Sequence, residues 1–292
     1  MPAASVDLAV FSPPFPSLFA YTSEMADIGN SENLETEARL HLGFFFRQLV
    51  RVVKPGRVAV VHVAQIPSLR RNNDAAAGGI FDFRGLCIRL ARKAGFIFDF
   101  DWLVPKNPQA QAIRTHSHRL LFVTLERDRS VTTGALCDYL IKLRVPGNND
   151  VPIVSTEISR DEWIAWAEGH WADIRETYTL NTKGTKGEND TKHICPLQLD
   201  VIDRLVRLYT NPGEIVFSPF AGIGSEGYQA LRRGRRFYGI ELKDEYHAAA
   251  LANLAKAISE NAEDKQQSLF EVYDDGTCVS DATDARGRKA AE

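Results

Sequence analysis

The sequence contains few cysteines and no long apolar run. Its four cysteines are widely separated and form no Cys-x-x-Cys pair. This spacing is typical of reduced intracellular thiols and disfavours both a disulfide framework and a structural zinc site. No stretch of eighteen apolar residues exists, and the first residues lack a basic region followed by an apolar core. We therefore expect neither a membrane span nor a signal peptide.

The composition is that of an ordinary globular protein, but its charge is unevenly distributed. The 292 residues, 44% hydrophobic and 25% charged, suffice for one large α/β domain or two small ones. The net charge is −3, yet residues 39–119 hold fourteen Lys or Arg against four Asp. Such a segment indicates a face that binds a polyanion, although arginines on the solvated sides of helices would give the same count.

Strand-like and helix-like stretches alternate along most of the chain. Short apolar runs predict strands at residues 6–11, 58–63, 96–104, 119–125, 139–145, 216–217 and 237–241. Helical periodicity predicts helices at residues 33–53, 84–94, 197–209 and 244–259. Pro196 is expected in the first turn of the third of these helices. The alternation predicts a largely parallel sheet covered on both faces.

Residues 146–192 interrupt this alternation. Pro, Gly and Asn open the segment, its end is rich in glycine and charge, and Trp163, Trp166 and Trp171 lie between. We interpret it as an insertion loosely attached to the sheet, whose tryptophans are core residues or stacking platforms. From about residue 263 onward the chain is polar, which predicts a disordered tail.

A glycine-rich loop near the C-terminus indicates a nucleotide-like cofactor. Gly222, Gly224 and Gly227 follow a predicted strand, and Glu241 ends the next one. Glycines allow close approach to a ligand, and the acid suits the hydroxyls of a ribose. Three alternatives remain: a turn whose glycines serve packing only, a nicotinamide or flavin site, and a smaller adenosine cofactor. The last fits best, because no second dinucleotide-binding half follows the loop.

The tetrapeptide Ser12-Pro13-Pro14-Phe15 ends the first predicted strand. Its hydroxyl can accept a hydrogen of an amine, the prolines leave a backbone carbonyl without a ladder partner, and the aromatic ring can stack on a planar base. A proline pair at the end of a strand is also a common way to begin a loop, so this motif alone decides nothing.

Together, Ser12-Pro13-Pro14-Phe15 and Phe220-Ala221-Gly222-Ile223-Gly224 resemble the two signatures of the DNA amino-methyltransferases. These enzymes methylate the exocyclic amine of adenine or cytosine with S-adenosylmethionine. The catalytic tetrapeptide precedes the cofactor loop here, as in the circularly permuted beta group of that family. The resemblance covers residues 5–258, and two stretches look especially like methyltransferases of phages and mobile elements. It implies a bacterial or phage-encoded cytoplasmic protein, with restriction-modification as the context.

The resemblance implies a Rossmann-like α/β methyltransferase fold with a mostly parallel sheet, helices on both faces and a small inserted target-recognition region. We expect the chain to have four parts: a catalytic half (1–145), the insertion (146–192), a cofactor-binding half (193–262) and a disordered tail (263–292). The implied partner is double-stranded DNA. A homodimer, or a partner subunit supplying the family's preceding segment, is a further expectation, because little chain precedes the catalytic strand.

The resemblance also implies site residues. The catalytic group is Ser12, Pro13, Pro14 and Phe15, where Ser12 and Pro13 would accept the amine hydrogens and Phe15 would stack on a base rotated out of the duplex. The cofactor-binding group is His193, Pro196, Ser218, Phe220, Gly222, Gly224 and Glu241. The candidate DNA contacts are Arg70, Arg71, Lys106, Arg114 and Arg119.

Two serines depart from the commonest family pattern. Ser12 replaces an aspartate and slightly favours cytosine N(4) over adenine N(6) as the target. Ser218 also stands where aspartate is usual, which predicts a weaker cofactor contact. Two rival functions remain open: amino-methylation of RNA or protein, and a non-catalytic subunit of methyltransferase fold that only binds DNA or a partner.

Overall fold

A computed structural model describes residues 1–15, 28–30, 36–67, 79–115, 120–154, 157–181 and 196–274. Its strands are β1 (Val6–Phe11), β2 (Val53–Ala64), β3 (Ile66–Pro67), β4 (Ile80–Phe81), β5 (Ile97–Val104), β6 (Asp138–Arg144), β7 (Ile215–Ser218) and β8 (Arg236–Gly239). Its helices are α1 (Glu37–Val52), α2 (Phe83–Ala94), α3 (Pro108–Thr115), α4 (Phe122–Arg127), α5 (Arg160–Trp166), α6 (Leu199–Tyr209), α7 (Ser225–Arg232) and α8 (Asp244–Asp274).

Six strands form one sheet in the order β5-β6-β2-β1-β7-β8, while β3 and β4 form a separate hairpin. Strand β6 is antiparallel to both of its neighbours, and the other pairs are parallel. The carboxyl ends of β1, β2, β5, β7 and β8 therefore lie together with the start of β6, at what we call the carboxyl edge. The largely parallel sheet predicted from the alternation is confirmed.

Helices cover both faces of this sheet. On one face, α1 buries residues spaced three or four apart, including Leu42, Phe46 and Leu49, beside α2. On the other face, α6 buries Ile202 and Leu205 against the sheet. Strand β1 lies at the centre and is buried on both sides, which explains its unbroken apolar sequence.

A buried ionic network fixes the three central strands at the opposite, amino edge. Asp7 accepts hydrogen bonds from Lys54 Nζ (2.5 Å) and from the backbone N–H of Ile215 (2.9 Å). Arg57, only 2% exposed, forms an ion pair with Glu214. Because these residues come from β1, β2 and the start of β7, the network holds in register the strands that carry the two sequence motifs.

The strand predicted at residues 119–125 is wrong. Arg119 lies outside the described residues, and Phe122–Arg127 form the short helix α4, in which no residue is buried. Phe122 and Leu125 are 66% and 52% exposed. An apolar run forms a strand only where a neighbouring strand can pair with it, and in the described sheet the outer neighbour of β6 is β5.

The described part of residues 146–192 is packed firmly on the sheet, which corrects the expectation of loose attachment. Trp171 is 1% exposed, its ring centroid lies 5.1 Å from that of Trp102 on β5, and its Nε1 donates to the carbonyl of Trp166. The backbone N–H of Trp171 also donates to Leu103. Trp163, in contrast, is 59% exposed.

Helix α8 is longer than predicted and ends at Asp274 rather than near residue 259. Side chains of α7 anchor the extension, because Arg232 donates to Asn261 and Asp264. Residues 263–274 are therefore helical, and the remainder of the predicted tail lies outside the described residues. In the part of the chain that the structure describes, no helix has the length and apolarity to cross a membrane.

Candidate active site at the carboxyl edge

The two sequence motifs meet at the carboxyl edge, although they are far apart in the sequence. Strands β1 and β7 are parallel neighbours, with Leu8 opposite Val216 and Ala9 opposite Phe217. The tetrapeptide Ser12-Pro13-Pro14-Phe15 follows β1, and the glycine loop follows β7. The motifs therefore leave the sheet side by side.

The glycine loop joins β7 to α7, and each of its glycines is required for a different structural reason. Gly222 has φ +52° and no heavy atom within 4 Å of the place a Cβ would occupy, so a ligand can approach its backbone. Gly224 caps α7, and a Cβ there would lie 3.1 Å from Ala250 on α8. At Gly227 a Cβ would lie 2.5 Å from the ring of Phe237.

Glu241 connects the end of β8 to the glycine loop. One carboxylate oxygen accepts the backbone N–H of Gly222 at 2.7 Å, and the other accepts that of Lys243 at 2.9 Å. Each oxygen keeps a lone pair for a further hydrogen bond. Strand β8 thus presents a carboxylate, already fixed in position, beside the open backbone of the loop.

Buried polar groups surround the start of α7. The hydroxyls of Ser218 and Ser225 are buried and have no hydrogen-bond partner among the described residues. Glu226 is 4% exposed, and burial, with a smaller contribution from the nearby Glu241 charge, raises its pKa to about 8. Together with the open backbone of Gly222 and the carboxylate of Glu241, these hydrogen-bonding groups fit a nucleoside-type cofactor.

The aromatic residues of the two motifs are half-buried and pack against the core. The ring centroid of Phe220 lies 6.0 Å from that of Phe11 and 5.1 Å from that of Phe45 on α1. The ring of Phe15 packs against Phe83 at the start of α2, with the centroids 5.5 Å apart. Pro13 is buried, whereas Ser12 and Pro14 are partly exposed. The core thus holds both rings at the carboxyl edge.

A polar network extends from Ser12 across the carboxyl edge. Its Oγ lies 3.3 Å from Nδ1 of His62 on β2. Nε2 of His62 lies 2.9 Å from Oδ2 of Asp138 on β6, an ion-pair distance at which the ring N–H is not well aligned with the oxygen. Nζ of Lys106, beyond the end of β5, lies 2.5 Å from the same oxygen. Four segments thus supply one connected chain of polar groups.

Burial alone would raise the pKa of Asp138, but His62 and Lys106 outweigh that effect and lower it. The carboxylate is therefore charged at neutral pH and can orient the imidazole. Sequence reasoning missed His62 and Asp138. The signal was present, because Ser12, His62 and Lys106 each continue the every-second-residue pattern of buried apolar side chains on one face of β1, β2 and β5.

The remaining predicted site residues fall in several places. Pro196 lies ahead of α6, whose first residue is Leu199, so it is outside the first turn in which it was expected. Lys106 is only 13% exposed in its side chain and pairs with Asp138. Arg114 lies on α3, but its side chain is not described. The others, outside the described residues, are His193, Arg70, Arg71 and Arg119.

Comparison with known proteins identifies the family. A family model described as DNA methylase, N6_N4_Mtase, matches residues 6–252 and so includes both motifs and the polar network. The chain belongs to this DNA methylase family. The resemblance inferred from the two motifs is thereby confirmed.

Individual relatives match a shorter stretch. The chain is 38% identical over 74 residues to the type II methyltransferase M.BglII of Bacillus subtilis, a match that covers 25% of this chain and 21% of that protein. It is 39% identical over 64 residues to the DNA adenine methyltransferase YhdJ of Escherichia coli K12, covering 22% of each. The matched stretch thus spans about a fifth of each relative's length.

Solved structures share the fold over most of the chain. The Thermus thermophilus protein TTHA0409, a candidate DNA modification methylase complexed with S-adenosyl-L-methionine, superposes with a TM-score of 0.64 at 23% identity and covers 88% of both chains. The cytosine-N4-specific PvuII DNA methyltransferase gives a TM-score of 0.55 at 20% identity, covering 86% of this chain and 80% of that one. The predicted α/β methyltransferase fold is confirmed.

Proposed function

We propose that this protein transfers a methyl group from S-adenosylmethionine to the exocyclic amine of a base in duplex DNA. The observation that carries the proposal is the pairing of β1 with β7, which brings the tetrapeptide and the glycine loop to one end of the sheet. Membership of the DNA methylase family supports the substrate class.

The cofactor supplies an electrophilic methyl group on a sulfonium sulfur. On the protein side, Glu241 binds the ribose hydroxyls with the lone pairs left free by its two backbone contacts. Gly222 allows close backbone approach, Gly224 caps α7 beside it, and Phe220 contributes an aromatic surface whose other side is held by the core. Ser218, Pro196 and His193 complete the proposed set.

The tetrapeptide prepares the base. The lone pair of an exocyclic amine is delocalised into the ring, so the amine is a poor nucleophile. Ser12 Oγ and the carbonyl of Pro13 accept its two hydrogens and favour a tetrahedral nitrogen whose lone pair is available for attack. Phe15 stacks on the base, which has been rotated out of the duplex. Positioning and hydrogen bonding thus supply most of the catalysis.

Within this proposal, cytosine N(4) is slightly favoured over adenine N(6), because position 12 is serine rather than aspartate. The basic residues Arg70, Arg71, Arg114 and Arg119 remain the proposed contacts to DNA phosphates or bases. Residues 146–192 are the proposed target-recognition region.

A methyl-transfer assay with three substrates tests the proposal. The protein is incubated with S-adenosylmethionine labelled with tritium in the methyl group and with duplex DNA from a methylase-deficient host, total RNA, or a protein extract. We expect label in DNA only. Label in RNA or protein would reassign the substrate. Calorimetry identifies a non-catalytic subunit, since a folded chain that binds DNA but no S-adenosylmethionine would be one.

A further inference from the structure

The reaction proposed above leaves a proton without an acceptor at Ser12. When the amine nitrogen forms its bond to the methyl carbon, the bond from that carbon to sulfur breaks with its electron pair left on sulfur. The nitrogen then carries a positive charge and one hydrogen too many. A serine hydroxyl cannot retain an additional proton near neutral pH, unlike a carboxylate at the same position. A base hydrogen-bonded to Ser12 would give this proton an acceptor within the site.

We propose that His62 is the positioning residue that orients Ser12 and, through the Ser12 hydroxyl, receives the proton released by the methylated amine. The inference rests on the proposed function, because it assigns a role within that reaction. Nδ1 of His62 lies 3.3 Å from Ser12 Oγ, within hydrogen-bond distance. Methyl transfer to nitrogen, proton transfer to Ser12 and transfer of the Ser12 proton to Nδ1 balance the charge, and His62 later returns its proton to water.

The network assigns the tautomer that this role requires. Oδ2 of Asp138 lies 2.9 Å from Nε2 and therefore favours a proton on that nitrogen. Nδ1 is then unprotonated and accepts the Ser12 O–H, which turns the lone pairs of Oγ away from His62 and toward the substrate. The imidazolium formed after transfer faces a carboxylate and is stabilised by it.

Lys106 has a defined part in this arrangement. It binds the same Asp138 oxygen as His62 does, at 2.5 Å, and its side chain is 13% exposed. Its charge keeps Asp138 ionised and fixes the carboxylate in position. The Cys137 thiol lies next to Asp138, and burial together with that carboxylate raises the pKa of the thiol. The charged groups that the structure places against His62 are thus Asp138 directly and Lys106 through it.

Single-turnover methyl transfer to duplex DNA, measured with and without added imidazole, tests the role. His62→Gln should lower the rate by about 100- to 10,000-fold and leave the affinity for S-adenosylmethionine unchanged. In His62→Gly, added imidazole should restore part of the rate. The exposed His247→Gln is the matched control and should behave as wild type.

Two results would overturn the inference. One is a His62→Gln variant that transfers methyl groups within about threefold of the wild-type rate. The other is a slow His62→Gly variant that gains nothing from imidazole, because a structural defect alone would behave in that way. A wild-type protein that methylates no DNA would instead contradict the proposed function.

Nitrogen-15 NMR of the His62 ring tests the network without any turnover. We expect a proton on Nε2 and none on Nδ1 in the neutral ring. Asp138→Asn should increase the share of rings with the proton on Nδ1, because the change removes the carboxylate that faces Nε2. A neutral ring with its proton on Nδ1, or a tautomer ratio unaffected by Asp138→Asn, would overturn the inference even if the protein methylates DNA.

Discussion

At the scale of single residues, Gly222 combines a left-handed backbone with open space beside it. Gly213, in the turn that precedes β7 at the amino edge, has the same two properties, with φ +79° and nothing within 4 Å of a Cβ. The pair separates backbone strain from ligand contact, because a methyl group is strained at both positions but faces the proposed cofactor at only one.

We predict that Gly222→Ala and Gly213→Ala each lower the free energy of unfolding by about 1 kcal/mol. Only Gly222→Ala should weaken binding of S-adenosylmethionine, by about tenfold or more. Urea unfolding measures the first effect and calorimetry the second. Equal cofactor affinities for the two variants would show that the ligand does not approach the loop at Gly222.

Glu226 offers a second test at this scale, because its burial raises its pKa from the ordinary 4.5 to about 8. The folded state therefore binds this proton more tightly than the unfolded state does. The stability that the Glu226 proton contributes is fully present below pH 4.5 and is lost progressively as the pH rises from there to about 8. Near neutral pH, the buried Glu226 carboxyl therefore lowers the free energy of unfolding.

We predict that Glu226→Gln raises the free energy of unfolding near pH 7, by at most about 3 kcal/mol, and flattens its decline between about pH 5 and about pH 8. Urea unfolding across that range measures both effects. Glu168→Gln, at an exposed position, is the control and should follow the wild type. A Glu226→Gln curve parallel to that of the wild type would contradict the expected titration.

At the scale of elements, the residues around Trp171 belong to the layer that packs on one face of the sheet. Trp171→Ala should lower the free energy of unfolding by about 3 to 5 kcal/mol, because it removes a large side chain that packs on Trp102. Trp163→Ala, at a 59% exposed position, should change it by less than about 0.5 kcal/mol. A separate early unfolding transition for this segment, seen by tryptophan fluorescence, would mean that it is only loosely attached.

The elements were predictable from the sequence where local pattern and tertiary environment agree. The unbroken apolar run of β1, the period of α1 and the glycine loop all specify their structure locally. The structure of residues 120–127 was not predictable, because an apolar run does not reveal whether a neighbouring strand is available. The contact between His62 and Asp138 depends on the antiparallel register of β2 and β6, in which Ala64 lies opposite Asp138. No local pattern contains that register.

At the scale of the whole molecule, the basic segment is less available for DNA than its composition indicates. Several of its cations are paired within the fold, including Arg57 with Glu214, Arg84 with Asp101 and Lys106 with Asp138. The excess of positive charge at residues 39–119 therefore overstates the free charge. This internal pairing explains why the charge count indicates a basic segment but does not identify which residues are free to contact phosphates.

We predict that Lys106→Met leaves the salt dependence of DNA affinity unchanged while it slows methyl transfer. A phosphate contact would instead reduce the slope of log affinity against log salt by about 0.9. Fluorescence anisotropy with labelled duplex DNA at several salt concentrations measures the slope. Arg114→Met is the comparison variant, because Arg114 remains a proposed phosphate contact. A reduced slope for Lys106→Met would return Lys106 to the DNA-binding set.

We propose that the hydrogen-bond acceptors after β1 and the cofactor loop after β7 act together on an exocyclic amine. The most direct measurement is mass analysis of nucleosides from duplex DNA treated with the protein and S-adenosylmethionine carrying a deuterated methyl group. We predict a labelled methyl group on the exocyclic nitrogen of cytosine or adenine, and none after Ser12→Ala and Gly222→Ala are combined. A labelled methyl group on a ring carbon, or unlabelled DNA despite tight cofactor binding, would contradict it.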